Sequence, residues 1–108
     1  MIDRRRATRY AMVVTAEVTE ASSGKKLTGR TSDVSRTGGF VDSLEPFPEG
    51  SAVRIVLTHG NERFESVAKV VYSNPRLGMG VSFESPGEGQ LAILDGWFEQ
   101  TALSKALT

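Results

Sequence analysis

The chain contains no cysteine and a single histidine. Disulfides, thiolate nucleophiles and cysteine-based zinc sites are therefore excluded, and the absence of thiols agrees with a reducing compartment. His59, between Thr58 and Gly60, has no second imidazole with which to share a metal. No serine has a sequence-identifiable histidine partner and no framing motif surrounds any carboxylate pair, so no catalytic residue is assigned and the chain is not read as an enzyme. Long apolar runs are missing as well. Nothing approaches the roughly 20 apolar residues of a membrane span, and no apolar stretch behind the N-terminal charges suits a secretory signal. The expected location is cytoplasmic. Net charge is also absent, with 13 basic and 13 acidic side chains. A molecule with no overall field is a poor partner for a long polyanion, so nucleic acid is not the expected ligand.

What is present is ordinary in bulk and uneven in detail. At 108 residues the chain is read as one domain, with enough apolar content (39%) for a single core. There is no internal repeat or low-complexity segment. The head, however, carries Arg4, Arg5, Arg6 and Arg9 within a few positions, which leaves the remainder net acidic. This places a local positive site on a neutral body, suited to a small anion.

Alternation of apolar and polar residues marks the strands. Met12, Val14, Ala16 and Val18 form one face of a first strand, and a weaker second runs from Leu27 to Asp33. Phe40-Val41 opens a third. Val53, Ile55 and Leu57 belong to a fourth, joined through Thr58-His59-Gly60-Asn61 to a fifth, Phe64 to Tyr72, whose apolar residues occupy both faces and leave its register open. Met79, Val81 and Phe83 alternate in the last. The period then changes. Ser85-Pro86-Gly87-Glu88 has the form of a capping box with proline at the first helical position. Leu91, Leu94, Phe98 and Ala102 follow as one helical stripe with Trp97 beside it. Trp97, Phe64, Phe83 and Phe98 are expected in the core. Glu84, Glu88, Asp95 and Glu99 are expected on a solvated face, and Gly96 marks either a close approach to the barrel or a weak point. The expectation is all-β: a six-stranded antiparallel β-barrel with a C-terminal α-helix, organised as a basic arm (1–11), a barrel (12–84) and a helix (85–108).

Two segments carry chemistry. Arginine offers a planar fork of donors that matches phosphate oxygens in pairs, and it reads the O6/N7 edge of guanine. In Asp33-x-Ser35-x-x-Gly38-Gly39, the carboxylate can accept the N–H donors of a guanine, Ser35 can bond a phosphate or the backbone, and glycine permits a turn or close approach. Donors for phosphate and an acceptor for guanine together describe a guanine nucleotide.

At these residues the sequence resembles the PilZ domain family. Arg5-x-x-x-Arg9, preceded by Arg4, and then Asp33-x-Ser35-x-x-Gly38 match that family's two-part signature, and Gly78-x-Gly80-Val81-x-Phe83 and the terminal helix fall in the corresponding places. The resemblance spans essentially the whole chain. It implies a stand-alone bacterial receptor for the second messenger cyclic di-GMP, with no other cofactor and no metal. By position, Arg5 and Arg9 would hold phosphate and guanine, and Arg4 would assist. Asp33, Ser35, Gly38 and Gly39 would form the other half of the site, and Tyr72 is the nearest match to an aromatic residue that stacks on the ligand in some members. The repelling arginine arm would be mobile when free and ordered by the dianion, changing a surface that a downstream protein partner reads. A different class of reading is a small β-barrel interaction module whose basic arm touches nucleic acid or an acidic protein. That reading predicts steep salt dependence and indifference to Asp33→Ala.

Overall fold

The computed structural model describes residues 8–107, with side-chain surroundings through Thr101. Arg4, Arg5 and Arg6 lie outside the described residues, as do the side chain of Ala102 and most of the proposed arm. The elements are β1 (Tyr10–Ala11), β2 (Thr15–Glu20), β3 (Lys26–Val34), β4 (Gly38–Asp42), β5 (Ala52–His59), β6 (Glu62–Asn74), β7 (Gly78–Phe83) and α1 (Glu88–Leu107). All strand pairings are antiparallel. The sheet order β3-β2-β5-β6-β7-β4 closes through a β3–β4 pairing into a six-stranded ring, and β1 adds to β3. Closure leaves the ring without free edges.

The expected single first strand is interrupted. β1 and β2 run along the same side of β3 but are separated by Met12–Val14, and the side chain of buried Thr31 bridges the gap. Its hydroxyl donates to the Met12 carbonyl at 2.8 Å and accepts from the Val14 N–H at 2.9 Å. A side chain thus replaces a ladder bond, and the strand bends there without leaving buried polar groups unpaired.

Two register slips shape the outer wall. One lies in β3 between Thr31 and Asp33, the other in β6 between Val70 and Tyr72. Each inserts one extra residue and reverses the in–out alternation beyond it. Thr31 and Val34 both point into the core, so Ser32 and Asp33 both face outward. Likewise Val70 is buried while Val71 and Tyr72 are both exposed. The second slip explains the mixed apolar pattern of β6: Phe64, Ser66, Ala68 and Val70 form one inward row, and the apolar residues beyond belong to the other face.

The barrel interior is filled by Val18, Ile55, Leu57, Phe64, Val70, Met79 and their neighbours, with Phe64 and Phe83 rings 4.8 Å apart. Helix α1 lies against β6 and the β5–β6 turn, burying Leu94, Trp97 and Phe98. Trp97 is core, with its indole N–H donating to Glu62 Oε1 at 2.9 Å and its ring edge-on to exposed His59. Gln90 Oε1 accepts from the Glu65 N–H at 2.7 Å.

The start of α1 departs from expectation. The first intrahelical bond runs from Leu91 N–H to the Gly87 carbonyl, making Gly87 the cap. Ser85, at φ 52°, is in the left-handed region rather than the extended one an N-cap requires. The capping box is not formed. Gly96 also proves different: an added Cβ there meets no atom within 4 Å, so no close approach to the barrel requires glycine. Asp95 does not simply face solvent, since it pairs with Arg36.

Candidate ligand-binding site

A cavity of about 340 Å³ opens on the outer wall of the barrel across β3, β4, β7 and β6. Six residues singled out from the sequence line it: Arg9, Asp33, Ser35, Gly38, Gly39 and Tyr72. They come from three separate stretches of chain, and the barrel's register brings them together.

Arg9 immediately precedes β1, whose pairing sets Ala11 opposite Asp33 and Tyr10 opposite Val34. The Arg9 guanidinium donates to Asp33 Oδ2 at 2.8 Å, joining the two motifs across 24 residues. That bond and the carboxylate's charge raise the Arg9 pKa above its ordinary value, with a smaller contribution from Tyr72. The guanidinium is therefore charged at any working pH. Tyr10 anchors this end, stacking on Phe98 of α1 with ring centroids 4.3 Å apart.

Ser35 is buried and plays a local part. Its N–H donates to the Gly38 carbonyl at 2.7 Å, and its Oγ accepts from the Thr37 N–H at 3.1 Å. The hydroxyl also reaches the Gly38 carbonyl at 3.3 Å and Thr37 Oγ1 at 3.2 Å. It braces the turn that follows Asp33, an arrangement that Ser/Thr side chains favour. Thr37, exposed and lining the cavity, presents the freer hydroxyl.

The glycines serve the backbone. A Cβ on Gly38 would collide with the Val81 carbonyl oxygen, and one on Gly39 would stand 2.7 Å from the Asp33 carbonyl oxygen. Strands β3, β4 and β7 thus approach closely only because these positions lack side chains. Gly80 works differently. Its absent Cβ would lie 2.5 Å from Tyr72 Cε2, so the phenol ring rests over Gly80, which is its cross-strand partner.

Gly80 and Val81, noted in the sequence as part of a motif but not as site residues, also line the cavity, as do Thr37, Val71 and Ser82, which no motif picked out. Only their strand register places them there. Arg36, the residue between Ser35 and Thr37, turns away to α1, where its Nε donates to Asp95 Oδ1 at 3.0 Å.

The cavity can do several things chemically. It offers a guanidinium, a carboxylate, hydroxyls and an exposed aromatic face arranged along a flat glycine-rich floor. This suits a planar, hydrogen-bonding, anionic ligand. Among the described residues no group of His, Cys, Asp and Glu is arranged to hold a metal, and His59 is not part of the cavity. Among the same residues no helix is long and apolar enough to cross a membrane.

A small closed antiparallel barrel with a terminal helix and an outer-wall site of this composition defines a class of ligand-binding domain. The chain belongs to the PilZ domain family, which matches residues 3–100. Solved structures share the fold. The Bacillus subtilis inhibitor of motility (MotI/DgrA) superposes with a TM-score of 0.76 at 18% identity, over 96% of this chain and 54% of that one. YcgR of Escherichia coli, solved in complex with c-di-GMP, gives 0.72 at 22% identity over 97% of this chain and 50% of its own. The PilZ domain of CeSA from a cellulose-synthesizing bacterium gives 0.62 at 20% identity, over 79% and 88%. The chain spans about half the length of the MotI and YcgR chains. No curated protein sequence matches it.

Proposed function

We propose that this chain is a receptor for cyclic di-GMP, acting by binding rather than by catalysis. The observation that carries the reading is the meeting of Arg9 and Asp33, one from each motif, at one side of a single cavity with Tyr72 among its walls. The guanidinium supplies donors to phosphate and guanine, the carboxylate accepts from the guanine N–H groups, and the phenol ring offers a stacking surface. Family membership and the fold shared with the c-di-GMP complex of YcgR support this assignment. Arg4 and Arg5 complete the cationic side from the arm, and the arm's ordering on the ligand changes a surface read by a downstream protein in the cytoplasm. Fixing the arm costs about 1–2 kcal/mol per backbone residue, so affinity rests on the charge-assisted contacts.

The test is isothermal titration of cyclic di-GMP into the purified protein, with GTP as control and Arg9→Ala in parallel. Saturable binding of cyclic di-GMP that the substitution removes is the expected result. No binding at high ligand concentration would sink the reading and favour the interaction module with a basic arm.

A further inference from the structure

Arg9 is the one basic side chain among the described residues that line the cavity, and a second stands next to that lining. On the outer face, β7 and β6 pair with Ser82 directly opposite Lys69, and Gly38 of β4 lies opposite Ser82 on its other side. Ser82 lines the cavity. Its neighbours Val81 and Phe83 are buried, as are Ala68 and Val70 on either side of Lys69, so Ser82 and Lys69 share the outward face. Directly opposed residues on one face have Cβ atoms about 4.5–5.5 Å apart. Lys69 is exposed and forms no ion pair among the described residues. Lys69 is not itself part of the cavity lining, but it is the cross-strand neighbour of Ser82, which is, and its stem is long and flexible enough to bring the ammonium toward a ligand seated there.

Arg9 differs in both place and state. It stands on the β1–β3 side, already engaged with Asp33. Lys69 stands on the β6 side, three strand spacings from β3 around the barrel, which is roughly 14 Å at the usual inter-strand distance. Both side chains are long enough to reach inward from these positions. A ligand seated between them meets positive charge from two sides.

We propose that Lys69 and Ser82 form a second phosphate-binding wall of the site, taking the phosphodiester of a cyclic dinucleotide that faces away from Arg9. Ser82 donates a hydroxyl hydrogen bond and Lys69 a mobile point charge, a pairing suited to a phosphate oxygen. The arrangement selects a ligand with two separated phosphates over a mononucleotide, whose phosphates are contiguous and can satisfy only one wall. This inference rests on the receptor reading above.

The test is titration of cyclic di-GMP into wild type, Lys69→Ala, Lys69→Arg and Ser82→Ala, each at low and high salt. Lys69→Ala is expected to weaken binding about tenfold and to flatten its salt dependence, with Lys69→Arg retaining most of both. Ser82→Ala is expected to weaken binding a few-fold. The thermal midpoint of Lys69→Ala should match wild type, since the side chain is exposed, so a binding loss cannot be ascribed to misfolding. Wild-type binding with an unchanged Lys69→Ala affinity and salt slope overturns this inference alone. Failure of wild type to bind overturns the receptor reading, and this inference with it.

Discussion

Tyr10 stacks on Phe98 with planes 8° from parallel, so the residue next to Arg9 is fastened to the terminal helix rather than to the barrel alone. The contact sets the course of the chain just where it delivers the site's guanidinium. Tyr10→Ala is therefore expected to lower stability by about 1 kcal/mol or more, through the lost ring pair and its buried area. It should also weaken cyclic di-GMP binding several-fold, although Tyr10 does not line the cavity. Thermal denaturation and titration of the same variant check both halves; unchanged affinity would mean that Arg9 is positioned without the stack.

The Arg9–Asp33 pair should matter far more to binding than to folding. Arg9 is 64% exposed at its side chain, and exposed ion pairs contribute about 0–1 kcal/mol. Arg9→Ala and Asp33→Ala are expected to keep the circular dichroism spectrum and nearly the full thermal midpoint while abolishing ligand binding. A variant that unfolds would make the residue structural.

Arg9's raised pKa also fixes a pH expectation. A group whose folded pKa is raised stabilises the folded state below its unfolded value, and that contribution is lost only as pH rises through the folded value. Here both lie well above any working pH, the folded one raised further by Asp33. Affinity for cyclic di-GMP measured between about pH 6 and 8 should therefore be flat with respect to Arg9. A marked slope would point to another titrating group at the site.

Gly80→Ala tests the seat of Tyr72. The new methyl would meet the ring at 2.5–3.0 Å, and the ring, being half exposed, can swing outward. The fold should survive with a stability loss of about 1 kcal/mol, in the range of moderate overpacking. Binding should fall together with that of Tyr72→Ala. If Gly80→Ala binds normally while Tyr72→Ala does not, the ring works from another position.

Gly96→Ala should stabilise the protein. The site is helical with open space around it, and alanine is better than glycine in a helix interior by about 1 kcal/mol. For a domain of this size that corresponds to a rise of roughly 4–8 °C in the thermal midpoint. Cyclic di-GMP affinity should not change, since Gly96 does not line the cavity. A lower midpoint would show that glycine serves a purpose other than space.

Much of this protein was legible from local pattern. Alternation in Val53–Leu57 and Met79–Phe83 reported which residues face a core, because a strand's side-chain period depends only on its own backbone. The stripe Leu91, Leu94, Phe98 reported the helix for the same reason. The arginines and Asp33-x-Ser35-x-x-Gly38 pointed to an anion site through residue chemistry alone, and the fold brings Arg9 and Asp33 into contact. What local pattern misjudged were the places where a neighbour overrides it. The capping signal at Ser85 yielded to Gly87, and the first strand was split because Thr31, far along the chain, supplies the bonds at the gap.

Sequence by itself determined the components: the alternating strands, the apolar helix face, the arginine-rich composition of the head and the turn that Ser35 braces. Tertiary structure decided how they meet. The slip in β3 turns Asp33 outward to Arg9, and the slip in β6 turns Tyr72 outward over Gly80. Closure of the ring then sets Ser82 beside Lys69 and Arg36 against Asp95. The physical reason is that a bulge changes which face a side chain takes only by reference to the partner strand, and partners are chosen by the closed sheet as a whole.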